Sequence, residues 1–365
     1  MTGQFPEWSY AAALASLPMQ TPVRLRRLLA CGTPEEAWLK VMTSSTSIVG
    51  IGDSALRAWR ATDHGRVAQV TESCVTAQVT VSVRGDETYP SVLLADPHAP
   101  SVLFMLGERQ PLSMRRVGIV GTRLATQSGR HFARTLGEQL AAEGVSVVSG
   151  LARGIDVEAH RGVLAATNGA PPIAVVAGGP DVVYPREHQR IWHEVAENGL
   201  IISEYPPGSR PEPYRFPLRN RILAALSEVL VVVESRVTGG SMITVQEAMK
   251  RDITVMSVPG SPHVKPSEGT NELLRDGCAP VTCVDDVLVA LGLDNRRAVS
   301  GSDNREAPPA DGLRVLDAMG RQPRTVDEVS LLAGISVVDA AVVLGQLEAK
   351  GWVAHSDGWW EALIR

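Results

Sequence analysis

With 365 residues the chain is long enough for two or three domains, and 44% apolar against 21% charged residues excludes a disordered or fibrous protein. A net charge of −5 gives no global pull toward polyanions, so any phosphate or nucleic-acid site has to be a local basic patch. Four scattered cysteines (Cys31, Cys74, Cys278, Cys283) lack metal-ligand or redox-pair spacing, and neither a signal peptide nor a membrane-length apolar run is read, so a cytoplasmic protein with free thiols and no bound metal is expected.

Residues 1–82 read as a small helical module. Trp8–Leu17 carries Ala and Leu, and Pro22–Leu29 is basic and amphipathic. Thr33-Pro34-Glu35-Glu36 is a helix start with Thr as cap and Pro at the first position. Ile48-Val-Gly-Ile-Gly-Asp53 resembles the hairpin of a helix-hairpin-helix or SAM-like module. Such a turn can hold a phosphate on its backbone amides, and it also joins helices without any ligand.

Over residues 83–292 strands alternate with helices. Apolar runs at Val102–Leu106, Val117–Val120, Val145–Ser149, Ile173–Ala177, Leu200–Ser203, Val229–Val233 and Ile253–Val258 predict short buried strands. Amphipathic stretches between most of them predict a doubly wound, mostly parallel α/β sheet with helices on both faces. Ligands of such sheets bind outside the carboxyl ends of the strands.

A polar stretch rich in Pro, Gly and Ser over residues 293–312 suits a flexible linker. Residues 313–365 predict a winged helix. Leu313–Met319 is a helix; Thr325 opens a second with a capping box, and Gly334 ends it. Val337–Lys350 is the third, and Ser356-Asp-Gly358 turns a hairpin between Trp352 and Trp360. That third helix holds Asp339, Glu348 and, as its one cation, Lys350. It lacks the basic face that duplex DNA requires, so contact with protein is expected.

The chemistry collects at the strand ends. Val117–Val120 runs into Gly121-Thr122-Arg123 and then a helix for which Ser128 is the expected N-cap, with Phe132, Leu136 and Leu140 on one face. Strand, Gly turn and helix aim backbone N–H groups and a positive helix dipole at an anion. Arg123 adds a planar donor fork suited to phosphate. The turn is neither a dinucleotide fingerprint nor a P-loop, because Arg123 and Thr126 stand where glycines are needed.

Further Gly-rich segments follow other strands: Gly150–Asp156 with Arg153, Gly178–Asp181 ahead of Tyr184-Pro185, Thr238-Gly239-Gly240-Ser241, and Pro259-Gly260-Ser261. Each alone is a tight turn. At successive strand ends they converge on one ligand rim. Phe216-Pro-Leu-Arg219-Asn220-Arg221 supplies a ring for base stacking and two guanidiniums that point to different sides, one toward a groove while the other packs or pairs. Phe216 reads equally as a core residue. Asp156 at a helix start with His160 four residues on reads as structural rather than catalytic.

Taken in order, Gly121–Arg123, Ser149–His160, Tyr184-Pro185, Ser203–Pro206, Phe216–Arg221, Gly240–Thr244, Val258–Gly260 and Ser267–Asn271 with Leu273, Leu274 and Gly277 resemble the DprA/Smf family, the DNA-processing proteins of bacterial natural transformation. The resemblance spans residues 86 to about 290. It implies an extended Rossmann core that binds and protects single-stranded DNA and helps load the RecA recombinase, acting as a homodimer without catalysis and without cofactor. It implies that Arg123, Phe216, Arg219, Asn220 and Arg221 line the DNA groove. Gly121, Thr122, Arg153, Gly239, Gly240 and Ser241 would supply further contacts. Gly239 replaces a Ser common in the family, Gly178-Gly-Pro-Asp181 departs from the usual loop, and His188 stands where many members have Asn. The competing class is a nucleotide-cleaving phosphoribohydrolase, whose Gly-rich motif Thr238–Glu247 echoes loosely. It would need a carboxylate acid or base at the rim, from Glu204, Glu234 or Glu247.

Overall fold

The apolar runs become strands of one nine-stranded sheet. In the computed structural model, which describes residues 4–43, 48, 50–63, 65–293, 308–319, 324–356 and 358–362, these are β1 (Thr80–Val83), β2 (Val102–Gly107), β3 (Arg115–Val120), β4 (Val145–Ser149), β5 (Ile173–Val175), β6 (Leu200–Ser203), β7 (Val229–Val232), β8 (Thr254–Ser257) and β9 (Ala279–Pro280). Every residue of β4 to β7 is buried, as parallel strands sandwiched between helical layers require.

The strand order is β1-β2-β6-β5-β4-β3-β7-β8-β9. From β6 across to β9 the pairs are parallel, and β1–β2 and β2–β6 are antiparallel. The chain therefore winds outward from β3 through β4, β5 and β6, then returns to place β7 on the other side of β3. At that reversal the connections leave in opposite directions and open a crevice above the carboxyl ends of β3 and β7.

Among the described residues, five helices precede the sheet: α1 (Glu7–Ala15), α2 (Pro22–Leu29), α3 (Pro34–Thr43), α4 (Asp53–Arg60) and α5 (Arg66–Thr76). Pro22 opens α2 behind Thr21, whose hydroxyl accepts from the Arg24 N–H at 3.3 Å. Thr33 and Glu36 form the expected reciprocal cap of α3, at 3.3 and 3.0 Å. The 48–53 turn lies partly outside the described residues. β1 was not expected, since the sequence reads as helical up to residue 82. Val81 and Val83 are instead drawn into a core with Leu14, Trp59, Val102 and Phe104, which joins the helices to the sheet edge.

The remaining helices of this part are α6 (Ser91–Leu94), α7 (Gln127–Ala142), α8 (Ile155–Ala165), α9 (Gln189–Asn198), α10 (Arg215–Leu226), α11 (Gly240–Met249), α12 (Glu268–Arg275) and α13 (Val284–Ala290). α7 and α8 approach closely at Gly162, where a Cβ would overlap the Arg134 carbonyl and come within 2.9 Å of the Glu138 nitrogen. Thr126, not Ser128, caps α7, accepting from the Gly129 N–H at 3.0 Å. Ser128 lies exposed inside the first turn.

The chain divides into two compact units, Met1–Leu293 and Asp294–Arg365. Most of the expected linker lies outside the described residues. The second unit is a winged helix: α14 (Ala310–Met319), α15 (Val326–Ala333) and α16 (Val337–Ala349), then the antiparallel pair β10 (Val353–Ser356) and β11 (Trp359–Ala362). Thr325 and Glu328 cap α15 reciprocally, and Gly334 ends it in the left-handed region at φ +64°. Val315, Met319, Val329, Leu344, Leu347 and Val353 form its core. Among the described residues no single helix is long and apolar enough to cross a membrane.

Candidate functional site

A cleft of about 470 Å³ occupies the crevice above β3 and β7. Its walls are the turn after β3, the start of α8, the first turns of α10, and the loop from Arg236 into α11. Gly121, Thr122, Arg123, Phe216, Arg219, Asn220, Gly239, Gly240 and Ser241 all line it. Arg153 and Arg221 do not.

The turn after β3 departs from the expected anion cradle, because part of its backbone is already engaged. Leu124 N–H donates to the Thr122 hydroxyl at 3.2 Å. Thr122 N–H donates to the Glu234 carbonyl at 2.7 Å, and Ile155 N–H donates to the Thr122 carbonyl at 3.4 Å. The N-terminus of α7 is filled as well. Glu234 accepts from Thr126 N–H at 2.9 Å and from its hydroxyl at 2.5 Å. A carboxylate there satisfies the helix dipole from within and leaves no room for a phosphate. The turn's contribution to the cleft is the Arg123 side chain.

Gly154 holds that turn from below. It has φ +78° and ψ −123°, a backbone region that only glycine enters readily. A Cβ on it would overlap the Thr122 carbonyl oxygen and come within 2.9 Å of the Arg123 carbonyl carbon.

Arg123 is exposed at the rim with its guanidinium 5.1 Å from the centroid of the Phe216 ring. Phe216 is half-buried, and its other ring neighbour is the exposed Tyr184, with centroids 5.6 Å apart and planes tilted by 51°. The three side chains form a ledge of two rings and one guanidinium. Arg236 adds a second exposed cation on the opposite wall. Tyr184 was expected only as part of a rim segment and Arg236 not at all; for Arg236, its place just beyond the carboxyl end of β7 is a usable signal.

Arg219 is on the cleft floor and only 5% exposed. Its Nη1 donates to the Val175 carbonyl at 2.6 Å, while its Nε has no partner among the described residues. Burial pulls its pKa down and Asp156 opposes that shift. Burial likewise pushes Asp156 up, against the pull of Arg219. Asn220 donates to the Gly240 carbonyl at 3.4 Å and so ties α10 to the start of α11. Arg221 points to the far side of α10, where it pairs with Glu204 at 2.6 Å and donates to the His98 carbonyl at 2.7 Å. Arg153 is held by Glu187 at 2.6 Å.

Gly239 is the N-cap of α11 and provides no side-chain cap. The helix therefore opens its N-terminal N–H groups toward the cleft, a favourable place for an anion beside Arg123 and Arg236. The Ser241 hydroxyl is turned inward and donates to Ser235 Oγ at 2.7 Å.

The carboxylates that acid–base chemistry would need are committed elsewhere. Glu204 is buried against Arg221, and Glu234 caps α7. Burial raises the Glu247 pKa, but Lys250 and Arg251, each at 2.7 Å, outweigh it and hold the carboxyl below its usual range. His160 is fully buried and burial pushes it down to about 3, so it is neutral. Among the described residues the carboxylate that lines the cleft is Asp156, only 6% exposed.

Residues 80–292 match the family described as DNA recombination-mediator protein A, and residues 302–358 match the DprA winged helix domain. Protein Smf of Synechocystis is 32% identical over 309 residues, covering 75% of this chain and 77% of that protein. The crystal structure of DNA processing protein A from Streptococcus pneumoniae superposes with a TM-score of 0.65 at 28% identity, over 78% of this chain and 98% of that one. DNA processing protein A from Helicobacter pylori, whose structure was described for its single-stranded DNA binding mode, gives a TM-score of 0.53 at 30% identity, over 60% of this chain and 98% of that one.

Proposed function

The chain belongs to the DNA recombination-mediator protein A family, and on that premise we propose that its cleft binds single-stranded DNA without cutting it. The observation that carries this reading is the ledge of Arg123, Phe216 and Tyr184 at the mouth of a helix N-terminus. Rings beside guanidiniums are what a sequence-tolerant single-strand groove uses: bases stack on the rings and phosphates meet the cations. Here Phe216 and Tyr184 take base faces, while Arg123, Arg236 and the α11 amides take the spine. On the floor the buried Arg219 offsets Asp156.

The engaged carboxylates support a binding role rather than hydrolysis. In this reading residues 83–292 are the DNA-binding core, and α16, with exposed Val338 and Val342 beside Asp339, faces a protein rather than a duplex. Delivery of the covered strand to the RecA recombinase, homodimerisation and a cytoplasmic location belong to the same proposal and rest on the family.

A competition shift assay tests it. Unlabelled single strand should displace a labelled oligothymidylate, and unlabelled duplex should not. Arg123→Ala should weaken binding by about 1–3 kcal/mol, the scale of a lost charge-assisted contact. Affinity should fall steeply with salt as counterions are released. Equal competition by duplex, or an Arg123→Ala isotherm unchanged at low salt, contradicts the reading. Release of free base from a nucleoside monophosphate would favour the phosphoribohydrolase class instead.

A further inference from the structure

A second groove, of about 720 Å³, lies between the end of α1, α5 and residues 205–215. Its lining adjoins that of the cleft along the chain at the start of α10: Arg215 lines the groove, and the next residue, Phe216, lines the cleft. The Arg215 guanidinium lies 4.1 Å from the Tyr205 ring centroid and 5.6 Å from that of Tyr214. Its Nε also donates to the Tyr214 hydroxyl at 3.2 Å. Two rings and a guanidinium thus recur here, one residue along from the ledge of the cleft.

Two apolar groups are left in solvent. Tyr214 is 54% exposed, and Met19, which also lines the groove, is 55% exposed. Met19 has φ +58°, a conformation that costs energy for a side chain of its kind, and Arg24 fixes its carbonyl at 2.5 Å. A strained turn that holds a methionine in water, beside an exposed tyrosine, is a poor arrangement for folding alone and a good one for a flat apolar ligand.

Resting on the single-strand reading of the cleft, we infer that this groove is a second base-stacking subsite, which takes the strand as it leaves the cleft past Phe216. The placement of Arg215 in the groove and its neighbour Phe216 in the cleft sets the occupant. The local charge sets the mode. Glu212 sits 3.4 Å from Arg215, and Glu72 and Asp181 line the adjoining hollow. Arg66 and Arg215 also line the groove, but Arg66 is bound to Ser16 and Arg215 to the Arg210 carbonyl and Glu212. With its cations engaged, the subsite takes base faces and leaves the phosphates in solvent. It adds affinity with strand length and leaves the salt dependence as the cleft sets it.

Anisotropy titrations with oligothymidylates of about 4 and about 16 nucleotides test this. Tyr214→Ala should weaken binding of the longer strand roughly tenfold, with the salt slope unchanged, and leave the shorter strand unaffected. Tyr214→Phe, which keeps the ring, should bind both like the parent. Abasic sites over the distal part of the longer strand should reproduce the Tyr214→Ala loss in the parent protein. Arg123→Ala should weaken both lengths. Equal loss at both lengths in Tyr214→Ala, or loss at neither, overturns the subsite while leaving the cleft reading intact. Failure of the parent to bind either length removes the cleft reading and the subsite with it.

Discussion

Gly154→Ala should lower the unfolding free energy by about 2–5 kcal/mol and weaken single-strand binding in the molecules that remain folded. Two costs combine. Alanine at φ +78° and ψ −123° is strained by itself. The added methyl also runs into the Thr122 carbonyl and crowds the Arg123 carbonyl carbon at 2.9 Å. The turn is tied on its other side by the Thr122 N–H bond to the Glu234 carbonyl at 2.7 Å, so it resists retreat. Relief must come from moving the α8 start or the turn itself, and either displaces Arg123 from Phe216. Urea denaturation with an oligonucleotide titration on the same preparation measures both. Parent-like stability would mean that Gly154 is not the support of the turn.

Arg221→Ala should cost about 3–5 kcal/mol of stability, the scale for removing one partner of a buried ion pair. Glu204 is 7% exposed and its Oε1 already lacks a partner among the described residues. Without Arg221 its remaining oxygen loses a 2.6 Å contact too. Burial raises the Glu204 pKa and Arg221 pulls it back. A carboxyl whose folded pKa lies above its unfolded value binds protons more tightly when folded, so the fold gains as pH falls through that pKa and is penalised above it. The variant's carboxyl moves higher still. Its deficit against the parent should therefore be full near about pH 7.5 and smaller near about pH 5. A deficit that is constant across that window would show that lost packing, not the stranded carboxylate, dominates. Because Arg221 lies off the cleft, oligonucleotide affinity per folded molecule should stay close to that of the parent.

Most of the sheet is legible from the sequence, since parallel strands covered on both faces are continuous apolar runs. Thr80–Val83 is not, because it is short and follows a helix, and its burial is decided by Leu14 and Phe104 across the fold. The cap of α7 is a similar case. Thr126 and Ser128 both satisfy the local rule, and Glu234, distant in sequence, selects Thr126. Glu234 also explains why the turn after β3 offers less than its pattern promises: its carbonyl takes the Thr122 N–H and its carboxylate fills the N-terminus of α7. Residues 219 and 221 lie roughly 200° apart around a helix, so their divergence is readable but not which one faces the cleft. The pairing of Tyr184 with Phe216 joins a loop to the first turn of α10, which only the folded chain brings together.

The central claim is that a strand lies across the Arg123, Phe216 and Tyr184 ledge. Photo-crosslinking of a single strand carrying 5-iododeoxyuridine, read by mass spectrometry of the digested complex, tests it most directly. The account predicts adducts on Phe216 or Tyr184 that disappear when excess unlabelled single strand is added. Adducts confined to α16 or α2, with none around the cleft, would contradict it.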